Sequence, residues 1–327
     1  MCISRIFAAD RGQGAAVCAL RNVSYLWGRF GCIMEAVITY VNGADPLWLE
    51  ARAKRGGADC SGMDYRFRDW GTLKYLLRGI ERYMPFVSNV FLVVADTPGQ
   101  IPEWASDRLK TVRHRDIIPA GLLPTFNSCT IEMFLHRIEG LDERFIYFND
   151  DMFPVGPCSP DDFFEKGGIV TGFSPHLLAA NLYKRQCRVS SEMARRAAGR
   201  PPAPWFIRPQ HTCSPMLKSV SEEVFGLCSD RIIPLLTPFR SACNPNQYLF
   251  LDYLYFTGRA RRRRMSSRML STALHSASSL SEAIRQPSSK IVCINDVNME
   301  EAVFLEKRDA VLAAFEAILP EKSRFEK

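Results

Sequence analysis

No apolar run in the sequence approaches the roughly 18 residues that a membrane-spanning helix needs, and the first 33 residues lack the uninterrupted apolar segment of a secretory signal. Neither a membrane-spanning helix nor export is expected. The eleven cysteines are scattered without a C-x-x-C pair or a ligand-like Cys/His spacing, which argues against a zinc site and against a disulfide scaffold. A reducing, cytoplasmic location fits that pattern, with peripheral contact at the inner face of a membrane as an extension of it. There is no fixed-period repeat. The basic runs lack interleaved aromatics and belong to no recognisable nucleic-acid module, so nucleic acid is not an expected partner.

What is present is the composition of a globular protein. The chain has 327 residues, 47% of them hydrophobic and 24% charged, enough to bury a sizeable core in one large domain or two. The net charge of +7 is uneven: Lys184, Arg185, Arg188, Arg195, Arg196, Arg200 and Arg208 crowd one stretch, and Arg259, Arg261 to Arg264 and Arg268 another. Such runs read first as solvated surface, and otherwise as a contact for anionic lipid headgroups or an anionic polymer. Residues 1–33 carry Arg5, Arg11, Arg21 and Arg29 around short apolar pieces with no clear period. They read as an N-terminal extension, with Met34 as the natural start, or as a basic amphipathic lead that touches a membrane surface.

The most telling segment is Phe145-Ile146-Tyr147-Phe148-Asn149-Asp150-Asp151-Met152-Phe153, an apolar run that stops on two adjacent carboxylates. Four β-favouring residues ended by Asn-Asp-Asp and followed by Pro154 and Gly156 predict a buried strand. In an α/β sheet the carboxyl ends of parallel strands are where ligands bind. Adjacent carboxylates repel unless a cation lies between them or one takes up a proton, and hard oxygen donors suit Mg²⁺ or Mn²⁺ and the diphosphates those ions bind.

The surrounding pattern is that of a mostly parallel sheet flanked by helices. Residues 35–42 predict a strand ended by Asn42-Gly43-Ala44-Asp45-Pro46. Trp70, Leu73, Leu76, Leu77, Ile80 and Tyr83 predict a helix over 69–84, and a strand follows from Asn89 to Ala95. That succession is βαβ grammar. Residues 109–113 are a weaker strand. Asn127 or Ser128 is placed to cap a helix running to Ile138. Pro160 to Phe164 and Gly168 to Phe173 suggest a short helix and a strand. Residues 187–205 read as an exposed loop or lid, 215–227 and 246–257 as helices, and 266–289, with nine serines, as a mobile connector or weak helix. Lys290 to Ile294 is a strand ending on Asn295-Asp296, and Met299 to Leu319 a closing helix.

Several co-ordered blocks resemble the Stealth proteins: Ile38 to Pro46; Arg66-Phe67-Arg68-Asp69 through Leu76 to Glu81; Leu123-Pro124-Thr125-Phe126-Asn127-Ser128 with Ile131-Glu132 and His136 to Leu141; and Phe148 to Phe153. The match is dense from 36 to 173 and thinner afterwards, at Gln210-His211-Thr212 with Pro215 and Lys218, at Arg240, and at Ile294-Asn295-Asp296. The family comprises bacterial capsular-polysaccharide hexose-1-phosphate transferases and the animal GlcNAc-1-phosphotransferase. The resemblance implies a Rossmann-like nucleotide-sugar fold, α/β with a more helical C-terminal part. It divides 34–327, one catalytic domain, into a nucleotide-sugar core (34–175), a lid or acceptor-side region (176–289) and a closing strand and helix (290–327). It also implies transfer of a sugar-1-phosphate from a UDP-sugar such as UDP-GlcNAc to a hydroxyl of a glycan or lipid-linked glycan, with UMP leaving.

The family's catalytic residues carry over onto Glu132, Asp151, His211 and Arg240, and its donor-binding block onto Thr39, Val41, Asn42, Gly43 and Asp45. Asn127, Ser128 and Asn149, from matching blocks, complete the donor-side set. Arg66 and Arg78 read as donor-phosphate contacts or as surface helix charges. The resemblance places Mg²⁺ or Mn²⁺ on Asp151 with Asp150 or Asp296. It leaves His211 and Glu132 both open as the base that accepts the acceptor's proton. Two features depart from the animal pattern: Trp70 stands where those enzymes have Asn, and the arginines at 261–264 have no counterpart. A metal-dependent glycosyltransferase moving the sugar alone would use a similar strand-end acidic pair. A non-catalytic carbohydrate-binding protein is expected to lose the charged block residues, and all are present here.

Overall fold

The computed structural model describes residues 34–56 and 67–327; expectations about residues 1–33 and about Arg66 fall outside these. Its centre is a five-stranded sheet made of β1 (Met34–Thr39), β2 (Val87–Val94), β3 (Leu109–Arg113), β4 (Arg144–Asn149) and β10 (Ser214–Leu217), in the order β10-β4-β1-β2-β3. The first four strands are mutually parallel and β10 runs antiparallel to β4. All six residues of β1 are buried, as expected for a strand covered on both faces. Between β1 and β4 the strand order reverses direction, the position at which the ligand crevice of an α/β sheet is expected, at the carboxyl ends of its parallel strands. This is a Rossmann-like sheet.

Among the described residues, two helices precede β2: α1 (Pro46–Gly56) and α2 (Leu73–Tyr83). Leu73, Leu76, Leu77 and Ile80 of α2 are buried at the spacing the sequence predicted. At Gly79 a Cβ would lie 2.5 Å from the Pro154 carbonyl oxygen, so the absence of a side chain lets α2 lie directly on β5 (Met152–Pro154). That strand belongs to a second sheet, ordered β12-β13-β5, with β12 at Ser267–Ser271 and β13 at Ile291–Asn295. The connector expected at 266–289 is therefore β12 followed by α8 (Ala277–Arg285), which buries Ala277, Leu280, Ala283 and Ile284. The closing helix, α9 (Glu301–Ile318), stacks Phe315 on Tyr75 of α2 at 5.5 Å.

Two other expectations change. After α3 (His114–Ile117), Asn127 caps α4 by accepting from the Cys129 N–H, but α4 spans only Ser128–Glu132 before the chain tightens into a 3₁₀ turn at Leu135–Arg137. Every residue from 129 to 136 is buried, so contacts on all sides, rather than one apolar face, set its path. Residues 187–205 do not form an exposed loop: most belong to α5 (Leu182–Ala197), which buries Cys187, Ser190, Ser191 and Ala194. Arg195 is buried with them, its guanidinium 4.1 Å from the Trp205 ring and 4.5 Å from Phe256. Aromatic cover accommodates an arginine that composition alone assigns to water.

The remaining strands form two small sheets. β6 (Phe164–Glu165), β7 (Gly168–Thr171) and β11 (Ala260–Arg262) make one, and β8 (Phe173–His176) pairs with β9 (Phe206–Pro209) in the other. Helices α6 (Lys218–Leu235) and α7 (Tyr248–Phe256) complete the fold. No helix among the described residues is long and apolar enough to cross a membrane.

Candidate active site

The crevice is built from the strand ends inward. Thr39 and Asn149 are register partners at the carboxyl ends of β1 and β4. The hydroxyl of Tyr147 joins them, 2.9 Å from the Thr39 hydroxyl and 2.7 Å from Asn149 Oδ1, and reaches Glu132 Oε1 at 3.3 Å. Glu132 Oε2 accepts the Gln247 N–H at 3.0 Å, at the start of α7. Both Glu132 oxygens are thus engaged inside the protein. Burial pushes this carboxyl up to about 7, although the Gln247 N–H, Arg240 and Tyr147 all favour its charged form.

Antiparallel pairing brings in the next residue. Because Ser214 of β10 lies opposite Tyr147, the residues just before β10 arrive at the carboxyl end of β4. His211 therefore reaches Asp151 from a segment far away in the chain. Its Nδ1 lies 3.2 Å from the Tyr248 hydroxyl, which is itself 2.9 Å from the Tyr183 hydroxyl. Burial lowers the His211 pKa, and the neighbouring Asp151 opposes that shift. On the other side, Cys293 of β13 pairs in register with Met152, placing its thiol 3.4 Å from Asp151 Oδ2 as a donor. The Ile294 N–H donates to the Asp151 carbonyl at 2.9 Å.

Arg240 comes from the loop between α6 and α7 and donates to the Ser128 hydroxyl at 2.6 Å. Asn127 holds that loop. Its amide donates to the Thr237 carbonyl at 3.0 Å, the Phe239 carbonyl at 3.3 Å and Asn244 Oδ1 at 3.0 Å, while Phe126 stacks on Phe239 at 5.4 Å. Glu132, Asp151, His211, Arg240, Thr39, Ser128 and Asn149 therefore converge on one crevice.

A cation fits this crevice. Asp151 Oδ1 is buried without a hydrogen-bond partner, a costly state that a bound ion or substrate relieves. Burial raises the Asp151 pKa, and burial together with the Asp151 charge pushes Asp150 up to about 7. Asp69 adds a further negative charge near Asp150. Asp151, His211 and Cys293 each offer a ligand atom, all within 4.8 Å of one another.

Other expected site residues are engaged elsewhere. Asp296 lies outside that cluster: its carboxylate accepts from Arg68 at 3.3 Å and from the Trp70 indole at 3.1 Å. Arg78 is buried against the C-terminal segment, bound to Glu326 at 2.9 Å and to the Leu319 carbonyl at 2.8 Å, so its guanidinium is held by that segment. Asp45 caps α1 through the Leu47 N–H at 3.0 Å and binds Gln100 at 2.9 Å. The Asn42 amide donates to the Gly99 carbonyl at 2.9 Å, and Val41 packs beside Trp48 and Phe126. At Gly43 a Cβ would stand 1.9 Å from the Phe67 carbonyl oxygen, so glycine permits the close passage of that segment.

Comparison with known proteins places the chain in a family. Residues 66–171 match the family model described as Stealth protein CR2, conserved region 2. The exopolysaccharide phosphotransferase cps2G of Lactiplantibacillus plantarum is 30% identical over 329 residues, covering 90% of this chain and 96% of that protein. The chain belongs to the Stealth family. A capsular polysaccharide phosphotransferase, WcwK of Streptococcus pneumoniae, is 28% identical over 332 residues, 90% of this chain and 99% of that protein. The receptor polysaccharide phosphotransferase WefC of Streptococcus oralis is 42% identical over 144 residues, but that match covers only 42% of either protein.

Within this Stealth chain, the conserved region contains Glu132, Asn149, Asp150 and Asp151, whereas Thr39, His211, Arg240 and Cys293 lie outside it. Sequence reasoning missed Tyr147, Tyr248 and Cys293 as parts of the site. Tyr147 was hidden as one aromatic among several in β4, and Tyr248 as one apolar-looking position of a helix. The position of Cys293 just before Ile294-Asn295-Asp296 was the one available signal for it.

Proposed function

We propose that this chain transfers a sugar-1-phosphate from a UDP-sugar to a hydroxyl of a glycan or lipid-linked glycan, releasing UMP, in the synthesis of a capsule or another cell-surface polysaccharide. The observation that carries this reading is the juxtaposition of His211 and Asp151 at the carboxyl edge of β4, with Arg240 and Glu132 beside them. The acceptor oxygen attacks the phosphorus that bears the sugar, and the bond from that phosphorus to the bridging diphosphate oxygen breaks. UMP leaves with the electron pair, and the acceptor's proton passes to a base.

His211 is the better base. Glu132 has both oxygens bound inside the protein, whereas His211 is only partly buried and, with Nδ1 beside Tyr248, keeps Nε2 for a substrate hydroxyl. A lowered pKa keeps the imidazole neutral and ready to accept, and Asp151 stabilises the imidazolium once it forms. Glu132 acts as a positioning residue that ties the start of α7 to Tyr147 and lies close to Arg240. The guanidinium of Arg240 is suited to the equatorial phosphoryl oxygens. Asp151 with Asp150 would hold Mg²⁺ or Mn²⁺, which when bound supplies positive charge to the diphosphate.

A cavity of about 300 Å³ lined by Phe173, Trp205, Ile207, Tyr255 and Arg262 supports an acceptor subsite, since aromatic faces with one cation suit a sugar chain. It is linked to the reacting centre by β9, which runs into His211, and by α7, which starts at Tyr248. Leu177 and Leu178, 65% and 78% exposed, directly follow β8, the partner strand of β9. With the exposed Arg185 and Arg261 to Arg264 they support peripheral contact with an anionic membrane.

Incubation with a panel of UDP-sugars, Mg²⁺ and acceptor, with identification of the nucleotide formed, tests the reaction. UMP supports it, UDP indicates transfer of the sugar alone, and no nucleotide release from any donor and acceptor pair removes the proposal.

A further inference from the structure

The spacing of cysteine and histidine along the chain argues against a zinc site, yet the fold assembles a mixed donor set from three separated segments. Asp151 follows β4, His211 precedes β10 and Cys293 lies within β13, and their ligand atoms are within 4.8 Å of one another. Oxygen, nitrogen and sulfur donors together are not a Mg²⁺ set, because that ion takes oxygen ligands almost exclusively. They are a set for Zn²⁺ or Co²⁺, which take carboxylate, imidazole and thiolate in a tetrahedron with one position left for water.

Two further observations point to a ligand here. Asp151 Oδ1 is buried with no partner, so the carboxylate has a free acceptor in the cluster. The Cys293 thiol is also aimed inward, donating to Asp151 Oδ2 at 3.4 Å. The His211 ring is oriented from behind by Tyr248 at 3.2 Å, an arrangement that fixes which nitrogen faces a metal.

We infer that Asp151, His211 and Cys293 form a thiophilic metal site that captures Zn²⁺ and thereby holds the protein inactive. The inference rests on the functional reading above for its consequence, since a zinc ion on His211 Nε2 occupies the lone pair that accepts the acceptor's proton and on Asp151 occupies the carboxylate assigned to Mg²⁺. Binding replaces the S–H bond of Cys293 by a sulfur–metal bond, and the proton leaves to solvent. Neither oxidation nor reduction is involved.

Co²⁺ replaces Zn²⁺ as a spectroscopic probe in the intact chain. Titration of the metal-free protein is expected to give one tightly bound Co²⁺ with a near-ultraviolet sulfur-to-cobalt charge-transfer band. Cys293→Ser is expected to lose that band and to bind Zn²⁺ at least about tenfold more weakly in competition with a chromophoric chelator. Asp151→Asn is expected to weaken binding while keeping the band, and circular dichroism verifies that both variants fold. Tight Co²⁺ binding without the sulfur band overturns the inference, as does absence of tight binding or retention of full Zn²⁺ affinity in Cys293→Ser. None of these readouts needs a sugar donor. Failure of the phosphotransferase reading would instead appear as absent UMP formation, with the metal result unchanged.

Discussion

Glu132 and Gln247 are joined across the protein, the Gln247 backbone N–H donating to the buried Glu132 carboxylate at 3.0 Å. The contact links the short helix that follows Asn127 to the first turn of α7, the helix that also carries Tyr248 against His211. The position of His211 therefore depends on a carboxylate that need not touch substrate.

Replacement of Glu132 separates positioning from proton transfer. Glu132→Gln keeps an acceptor for the Gln247 N–H and is expected to fold, with kcat lowered about tenfold and no change in which nucleotide is released. Glu132→Ala leaves buried polar partners unmatched and is expected to lose a further ~1–3 kcal/mol of stability, read by thermal melting. Loss of all activity in a well-folded Glu132→Gln would instead make Glu132 the base.

The pH dependence of stability has a definite sign. Burial raises Glu132 and Asp150 each to about 7, above the unfolded values of roughly 4. Folding then favours the protonated forms. Their contribution is complete below about pH 4 and is lost as pH rises through about 7. The metal-free protein is expected to lose stability between pH 5 and 8, and Mg²⁺ or Mn²⁺ to restore part of it at the upper end. Denaturant melts across that range with Asp150→Asn as control measure this, and an unchanged slope in that variant would count against it.

His211→Gln is expected to lower kcat by about 10²- to 10⁴-fold while donor affinity changes little. In the parent protein the acid limb of the kcat profile is expected below the usual histidine range, because burial lowers the His211 pKa. A steady-state profile together with direct donor titration measures both effects.

Arg78 is a structural cation. It is 6% exposed and its partner Glu326 5% exposed on the side chains, 2.9 Å apart. Arg78→Met strands the Glu326 charge and is expected to destabilise by about 3–5 kcal/mol, with donor KM unchanged in the folded protein. A raised donor KM without a change in melting temperature would restore a phosphate-binding role.

Tyr255→Ala opens one wall of the aromatic cavity beside β9. It is expected to raise KM for a chain acceptor several-fold and leave donor KM alone. Equal kinetics with every acceptor tried would remove the subsite.

Much of the core was legible locally. The β-favouring run of β1, the helical spacing of Leu73, Leu76, Leu77 and Ile80, and the apolar run before Asn149-Asp150-Asp151 each mark the element they form, and the structure puts those elements where the βαβ order required. In two helical segments the pattern failed. The all-round burial of residues 129–136 ended a helix early, and the arginine-rich stretch around Arg195 formed a buried helix because Trp205 and Phe256 cover the guanidinium.

The sequence by itself determined the parallel sheet, the acidic strand end and the residues to suspect, since local period and side-chain chemistry are carried by neighbours in the chain. Only the tertiary structure decided which of them meet. Antiparallel pairing of β10 on β4 and of β13 on β5 delivers His211 and Cys293 to Asp151. The docking of the C-terminal segment takes Arg78 away, and Arg68 and Trp70 claim Asp296. Those outcomes depend on strand register and long-range packing, which no local spacing encodes.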